Sequence, residues 1–446
     1  MANKIQFNKD YPEIKNSLEI FKRSEGLIPA STQTLAKGPT QWSFGVAPVY
    51  LDYGKGSHVW DVDGNEFIDY NMGIGPISLG YAYDSVDNAI KQQLAKGITF
   101  SLTHPLEVEF SELIRKVVPN AESVRISKTG CDVTSAAVRL ARAFTGRSKV
   151  LCCGYHGWHD WYISVTDRNN GIPDAVKDLS FTFNYNDIDS LINSIDDDIA
   201  CVILEPFIFE KPKDDFLKKV REICTQNNIL LIFDEMWTGF RIAPGGAQDF
   251  FGVNADLACF SKAIANGMPV SVITGRKDVM SLIEKDVFFF TTFGGEALSL
   301  AAAIATINEI VEKNVTGYLD EKGALIQKGY NSLVLKHGID YTACSGYNCR
   351  SIITFDSVKS GCNQLEMKTL MQQEMIKRGI LWGGFHNMCF SHSDEDINYT
   401  LKAYDETLAI LKKAVEEKDI RKYLKGKVLE PVFRKTTNVL LKSMSS

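Results

Sequence analysis

The chain has 446 residues, 45% of them hydrophobic, and a formal net charge of −6. That length supports two or three domains with a large core. No basic stripe points to nucleic acid, and no apolar run is long enough to span a bilayer. The first ten residues lack the apolar core of a secretory leader. The ten cysteines include the adjacent pair Cys152-Cys153 but show no metal-ligand spacing, so no metal is expected. Most fall in apolar, strand-like runs, which reads as reduced core thiols in a cytoplasmic protein.

Residues up to about Thr40 read as an N-terminal helix and arm, broken at Gly26 and Pro29. Tyr50 to Tyr70 reads as a small meander turning at Asp63-Gly64-Asn65. Gly73 to Gly80 is a glycine-rich loop, and helical periodicity covers Ser85 to Lys96 and Glu107 to Val118. From Ser123 onward strands alternate with helices. Strands are expected at 124–127, 149–153, 181–183, 200–204, 229–233, 257–260 and 270–274. This alternation implies an α/β fold: a mostly parallel central sheet with helices on both faces. Helical residues from 298 to about 315 leave this region. The rest reads as a smaller α+β domain, with a strand at 351–355 and a helix at 397–415. The expected division is an arm and small-domain segment over 1–75, a large domain over 76–315 and a C-terminal small domain over 316–446.

The chemistry-bearing residues stand where these strands end. Ile229 to Phe233 is a branched, apolar run that delivers Asp234 at its carboxyl end. Leu257 to Phe260 leads in the same way to Lys262, among Ala, Asn and Gly. Ligands of open α/β sheets bind at such ends. A lysine and a buried acid at successive strand ends suit pyridoxal 5'-phosphate (PLP). The lysine forms the Schiff base, and the acid keeps the pyridine nitrogen protonated so that the ring is an electron sink. Thr129-Gly-Cys-Asp132 marks a strand turning into a helix, where free N–H groups and the helix dipole favour a phosphate. Gly130 there permits close approach. Tyr155 ends another strand and can stack on a ring. The adjacent His156 reads as bonding nearby backbone rather than as an acid or base. Glu205 ends a further strand, with Glu210 in its loop. Thr291-Thr-Phe-Gly-Gly295 is a second small-residue loop before a helix. Each feature alone has a plainer reading, as helix cap, core aromatic or surface lysine.

Together they resemble the class III aminotransferases, PLP enzymes of fold type I. Tyr155-His-Gly157, Glu205-Pro206, Asp234-Glu-Met-Trp-Thr-Gly-Phe-Arg241, Ser261-Lys262 and Thr292-Phe-Gly-Gly295 stand in that family's order. Ser135 to Gly146 and Trp60 to Tyr70 also look like the family. The nearest branch is similar to glutamate-1-semialdehyde aminomutase, with Gly73-Ile-Gly-Pro76 and His392-Ser-Asp-Glu-Asp396 fitting loosely. The resemblance covers roughly Gln33 to Lys412. It implies that Lys262 is the catalytic Schiff-base lysine and proton shuttle, and that Asp234 pairs with the pyridinium. Tyr155 would cover the ring, and Gly130 and Cys131 would offer N–H groups to the phosphate. Thr292, from the other subunit of a homodimer, would add a hydroxyl. Glu205 and Glu210 would lie beside the ring.

Three departures bear on the substrate. Ile74 stands where the aminomutase branch has an aromatic residue. Lys37 falls where that branch has an arm arginine for the substrate carboxylate, and lysine lacks arginine's planar fork. Glu210 replaces an Asn of that branch. These changes point to another small carbonyl substrate, as in class III enzymes of bacterial polysaccharide or specialised-metabolite pathways. The readings are an aminotransferase, an intramolecular aminomutase, and a non-catalytic binding protein of the same fold. Retention of both Lys262 and Asp234 counts against the last.

Overall fold

A computed structural model describes residues 10–207 and 209–431. The chain divides into two units, one of residues up to Tyr83 together with those from Gly317, the other Asp84–Thr316.

The first unit begins with helix α1 (Lys15–Ser24) and the strands β1 (Leu51–Lys55), β2 (His58–Asp61) and β3 (Glu66–Asp69). They form the expected antiparallel meander. The β2–β3 turn forms because the Asp61 carboxylate accepts the N–H groups of Asp63 and Asn65, with Gly64 at φ +87°.

The second unit carries α2 (Asp84–Leu94), α3 (Pro105–Val117), β4 (Ser123–Ser127) and α4 (Gly130–Thr145). There follow β5 (Lys149–Cys153), β6 (Ser180–Thr182), β7 (Ile199–Leu204), α5 (Phe216–Gln226) and β8 (Leu230–Asp234). It ends with α6 (Gly246–Phe251), β9 (Leu257–Phe260), β10 (Ser271–Gly275) and α7 (Ala297–Glu312). The seven strands form one sheet in the order β4-β10-β9-β8-β7-β5-β6. β5 to β9 run parallel, while β10 is antiparallel to both neighbours. Only residues 261–270 separate β9 from β10, too few for a parallel crossover, which takes a dozen or more.

All residues of β7, β8 and β9 are buried. This explains their unbroken apolar runs: a strand covered on both faces has no solvent side to alternate toward. Val133, Ala137, Ile203, Ile232 and Cys259 share one core cluster. Each large aliphatic side chain there contributes roughly 1.5–3 kcal/mol on burial.

After α8 (Val315–Lys336) the first unit resumes with β11 (Thr342–Tyr347), β12 (Arg350–Phe355) and α9 (Gln364–Lys377). β13 (Ile380–Leu381), β14 (Phe385–Asn387) and α10 (Asp394–Glu416) complete it. β13 pairs in parallel with β3, so the N-terminal meander gains a strand from the far end of the chain. β11, β12 and β14 form a separate antiparallel sheet. None of the helices among the described residues is long and apolar enough to cross a membrane.

Candidate active site

Asp234 closes β8 and is 1% exposed. Its Oδ2 lies 2.8 Å from Nδ1 of His156, and its Oδ1 accepts the N–H of Met236 at 3.1 Å. His156 is itself buried, and its carbonyl accepts the Thr134 hydroxyl. The sequence reading gave His156 only a backbone role; its side chain instead braces the acid. Its Nε2 is buried without a hydrogen-bond partner.

The charge of Asp234 reaches the groups around it. Burial, helped by this carboxylate, pushes the Cys259 thiol far above its usual range. Burial raises Cys131 and Tyr155 as well, with Asp234 adding to both. The neighbouring Glu235 serves structure. It accepts the N–H groups of Ala247 and Gln248 in the first turn of α6, together with the Thr238 hydroxyl. Burial still pushes Glu235 up to about 7.

Lys262 follows β9 in a left-handed conformation at φ +46°. A side chain with a Cβ holds that conformation only where its surroundings enforce it, a common condition at functional sites. Its Nζ stands 4.1 Å from the centroid of the Trp237 ring, which belongs to the loop after Asp234. Trp237 was not singled out from the sequence, where an aromatic in an apolar motif reads as core. Here it is only partly buried, beside the lysine.

The N-terminus of α4 meets the same loop. Thr129 caps the helix by accepting the N–H of Asp132, and Asp132 accepts that of Thr129 in return. The N–H groups of Gly130 and Cys131 stand at this end, where a helix has no internal acceptors. A Cβ on Gly130 would stand 2.9 Å from Met236 Sδ, and one on Gly157 would be 2.6 Å from Cys131 Sγ. Tyr155 donates its N–H to Glu205 Oε1 at 2.8 Å, and a Cβ on Gly154 would meet the same carboxylate.

Gly130, Cys131, Tyr155, Glu205 and Asp234 thus form one connected cluster, with Lys262 joined through Trp237. The other three site residues are not joined to this cluster by any of these contacts. Thr292 lines a cavity of about 400 Å³ with Thr99, Ser101, His104, Glu107 and Glu296, a lining that includes none of Tyr155, Asp234 or Lys262. Glu210 is exposed; it accepts a bond from Asn186 and pairs with Lys213. Lys37 ends a short turn of the first unit, Leu35–Lys37, and is exposed.

The cluster fits PLP. It offers a buried, braced carboxylate for a ring nitrogen, a primary amine, an aromatic flank and a glycine-bearing helix N-terminus for a phosphate. An α/β sheet carrying these groups at its carboxyl ends defines a fold type I PLP-dependent transferase. The chain belongs to the class III aminotransferases: the model of the family Aminotransferase class-III matches residues 43–389. It is 34% identical over 413 residues to 3-aminobutyryl-CoA aminotransferase of Cloacimonas acidaminovorans, covering 90% of this chain and 98% of that one. It is 32% identical to glutamate-1-semialdehyde 2,1-aminomutase 1 of Macrococcus caseolyticus, covering 90% and 100%. A PLP-containing structure of the FumI protein of Sphingopyxis sp. MTA144 superposes with a TM-score of 0.84 at 27% identity, covering 92% and 99%. The chain is therefore a PLP-dependent enzyme.

Proposed function

We propose that this enzyme is an aminotransferase, moving an amino group from a donor amino compound to a small carbonyl acceptor. The observation that carries the reading is the pairing of the braced, buried Asp234 with a left-handed lysine at the next strand end. Bound PLP supplies the electron sink that makes the substrate Cα proton acidic. The Lys262 amine takes that proton and returns it at the other end of the transferring unit. Asp234 keeps the ring nitrogen protonated, and His156 holds Asp234 in place. Gly130 and Cys131 bind the phosphate through their N–H groups, Tyr155 flanks the ring, and Glu205 orders the Tyr155 backbone. Lys37 and Glu210 contact the substrate. The pathway that fits is the synthesis of a bacterial polysaccharide precursor or specialised metabolite.

The working unit is a homodimer with shared sites. Thr292 lines a cavity whose walls do not include its own Lys262, and Phe288, Phe290, Phe293 and Leu102 leave apolar surface exposed. A second copy would cover such a surface. None of the ten cysteines is joined in a disulfide, in keeping with a cytoplasmic protein.

The alternative, an intramolecular aminomutase, is favoured by the 32% identity to the Macrococcus protein. One experiment separates the two. The aminated cofactor form is screened against a carbonyl panel, and each semialdehyde is also supplied without a donor. Return of the PLP absorbance with stoichiometric product supports transfer; repeated turnover of one semialdehyde alone supports the mutase. Borohydride trapping maps the reactive lysine, and an adduct on any residue other than Lys262 would sink the assignment.

A further inference from the structure

One ion pair ties together the two loops to which the phosphate contacts are assigned. Lys128 Nζ lies 2.5 Å from Glu296 Oε1 and 3.0 Å from the carbonyl of Pro269. Lys128 immediately precedes Thr129, the cap of α4. Glu296 immediately follows the Thr291–Gly295 loop and caps α7, accepting the N–H groups of Leu298 and Ser299. The side chains are 16% and 9% exposed, so this is not the solvated kind of pair that contributes little. Burial alone would raise the Glu296 carboxyl. The bonds from Lys128 and Ser299 outweigh it and hold the group below its ordinary range.

The loop has little room to shift. A Cβ on Gly294 would stand 3.2 Å from the carbonyl of Ile126 in β4, and one on Gly295 would run into the Glu107 carboxylate. Glu296 thus holds one end of the closely packed loop that carries Thr292, as Lys128 holds the turn that carries Gly130.

We propose that the Lys128–Glu296 pair is a positioning strut coupling the two cofactor sites of the dimer. Through Lys128 it sets the phosphate turn of its own subunit. Through Glu296 it sets the Thr292 loop that serves the second copy. This rests on the reading that Thr292 acts across the dimer. Breaking the strut leaves either charge buried without its counterpart, so each single substitution disturbs both loops.

The test is equilibrium PLP binding to apoenzyme, read by visible absorbance, with dimerisation followed by sedimentation. Lys128→Met and Glu296→Gln should each weaken binding roughly tenfold, the scale of one charge-assisted hydrogen bond. Gln keeps an oxygen for the α7 cap, so that variant tests the idea if Lys128→Met does not fold. The double variant, Lys128→Met with Glu296→Gln, should lose little more than either single one, because both act through the same bond. In heterodimers with one Lys128→Met chain and one wild-type chain, both sites should weaken. Weakening of a single site, or none, overturns the coupling. A monomer that binds PLP normally, or a dimer whose affinity ignores Thr292→Ala, would instead refute the shared-site reading beneath it.

Discussion

Nδ1 of His156 and Oδ2 of Asp234 lie 2.8 Å apart, both side chains being removed from solvent. The two residues are 78 positions apart, His156 in the loop after β5 and Asp234 at the end of β8. A buried carboxylate with a fixed partner is preorganised: it need not reorient when a charge forms opposite it.

The first prediction follows from that contact. Asp234→Asn should still bind PLP but lose on the order of 10²-fold in kcat, the scale for removing one preorganised partner. A neutral amide cannot hold a pyridine nitrogen protonated. His156→Phe should lose less, roughly tenfold, because the acid remains but is no longer braced. Steady-state kinetics and the absorbance spectrum of the bound cofactor are the measurements. Unchanged turnover in Asp234→Asn would remove it from the mechanism.

The central strands and the lysine–acid pair were legible because each rests on local pattern: a branched apolar run, then a polar residue at its end. The direction of β10 was not read, because the alternation rule hides one reversed strand, although residues 261–270 are too few for a crossover. His156 was not legible, because its partner is set by two strand ends that meet only in the folded sheet. The same holds for Lys128 with Glu296, and for β13 beside β3, whose paired residues Ile380 and Ile68 no local period connects. Trp237 carries no signal of its own; only the placement of Lys262 gives it one.

A second prediction concerns the pH dependence of stability in the first unit. His58 Nδ1 is 2.8 Å from Glu66 and its Nε2 is 3.0 Å from Asp396. Burial would lower the His58 pKa, but the hydrogen bonds and charges of Asp396 and Glu66 outweigh it, and the pKa is raised. Burial likewise opposes the ionised form of Asp396, yet His58, Ser57 and the Ser393 N–H bring it down to about 2. The raised histidine stabilises below its unfolded value, about 6.5, and this is lost as pH rises through the folded value. The lowered aspartate stabilises above its unfolded value, about 3.9, and this is lost as pH falls toward 2. The pair therefore contributes most between about pH 4 and 6.5. Denaturant midpoints across pH should show this for the wild type, with the decline above that window flattened in His58→Gln. Parallel profiles for the two proteins would refute it.

A third prediction concerns Ile74. Met72, Gly73, Ile74 and Gly75 all have positive φ, at 45°, 64°, 69° and 92°. A β-branched residue in that region is strained. The loop is held from one side by Asp69, whose carboxylate accepts the N–H of Asn71 and the Tyr81 hydroxyl, each at 2.6 Å. Ile74→Gly should therefore be more stable than Ile74→Ala by about 1 kcal/mol, although it loses more chain entropy. The comparison cancels the lost side chain and isolates the backbone. Denaturation midpoints of the two variants decide it, and equal stabilities would mean the conformation costs nothing.

The last prediction concerns Lys37. By resemblance it belongs to an arm that closes over the substrate, and the structure leaves its side chain exposed on a short turn. Its charge is not isolated. Asp69 is fully buried and burial raises its carboxyl to about 6, with Tyr81, Asn71, Met72 and then Lys37 acting to lower it. A point-charge ammonium in that position suits a phosphate, or a carboxylate on a longer substrate, better than the forked contact an arginine makes. Lys37→Ala should weaken the acidic substrate by roughly 1.5–3 kcal/mol, the range for hydrogen bonds to charged groups. The loss should fall on KM, because the arm holds a part of the substrate remote from the reacting carbon. PLP binding at Lys262 should be unaffected. Single-turnover kinetics of Lys37→Ala and Lys37→Arg with each half-reaction partner provide the measurement. A loss confined to one partner identifies which substrate carries the anion. Unchanged kinetics with both would return Lys37 to the solvent, and would take with it the claim that the arm binds an anion.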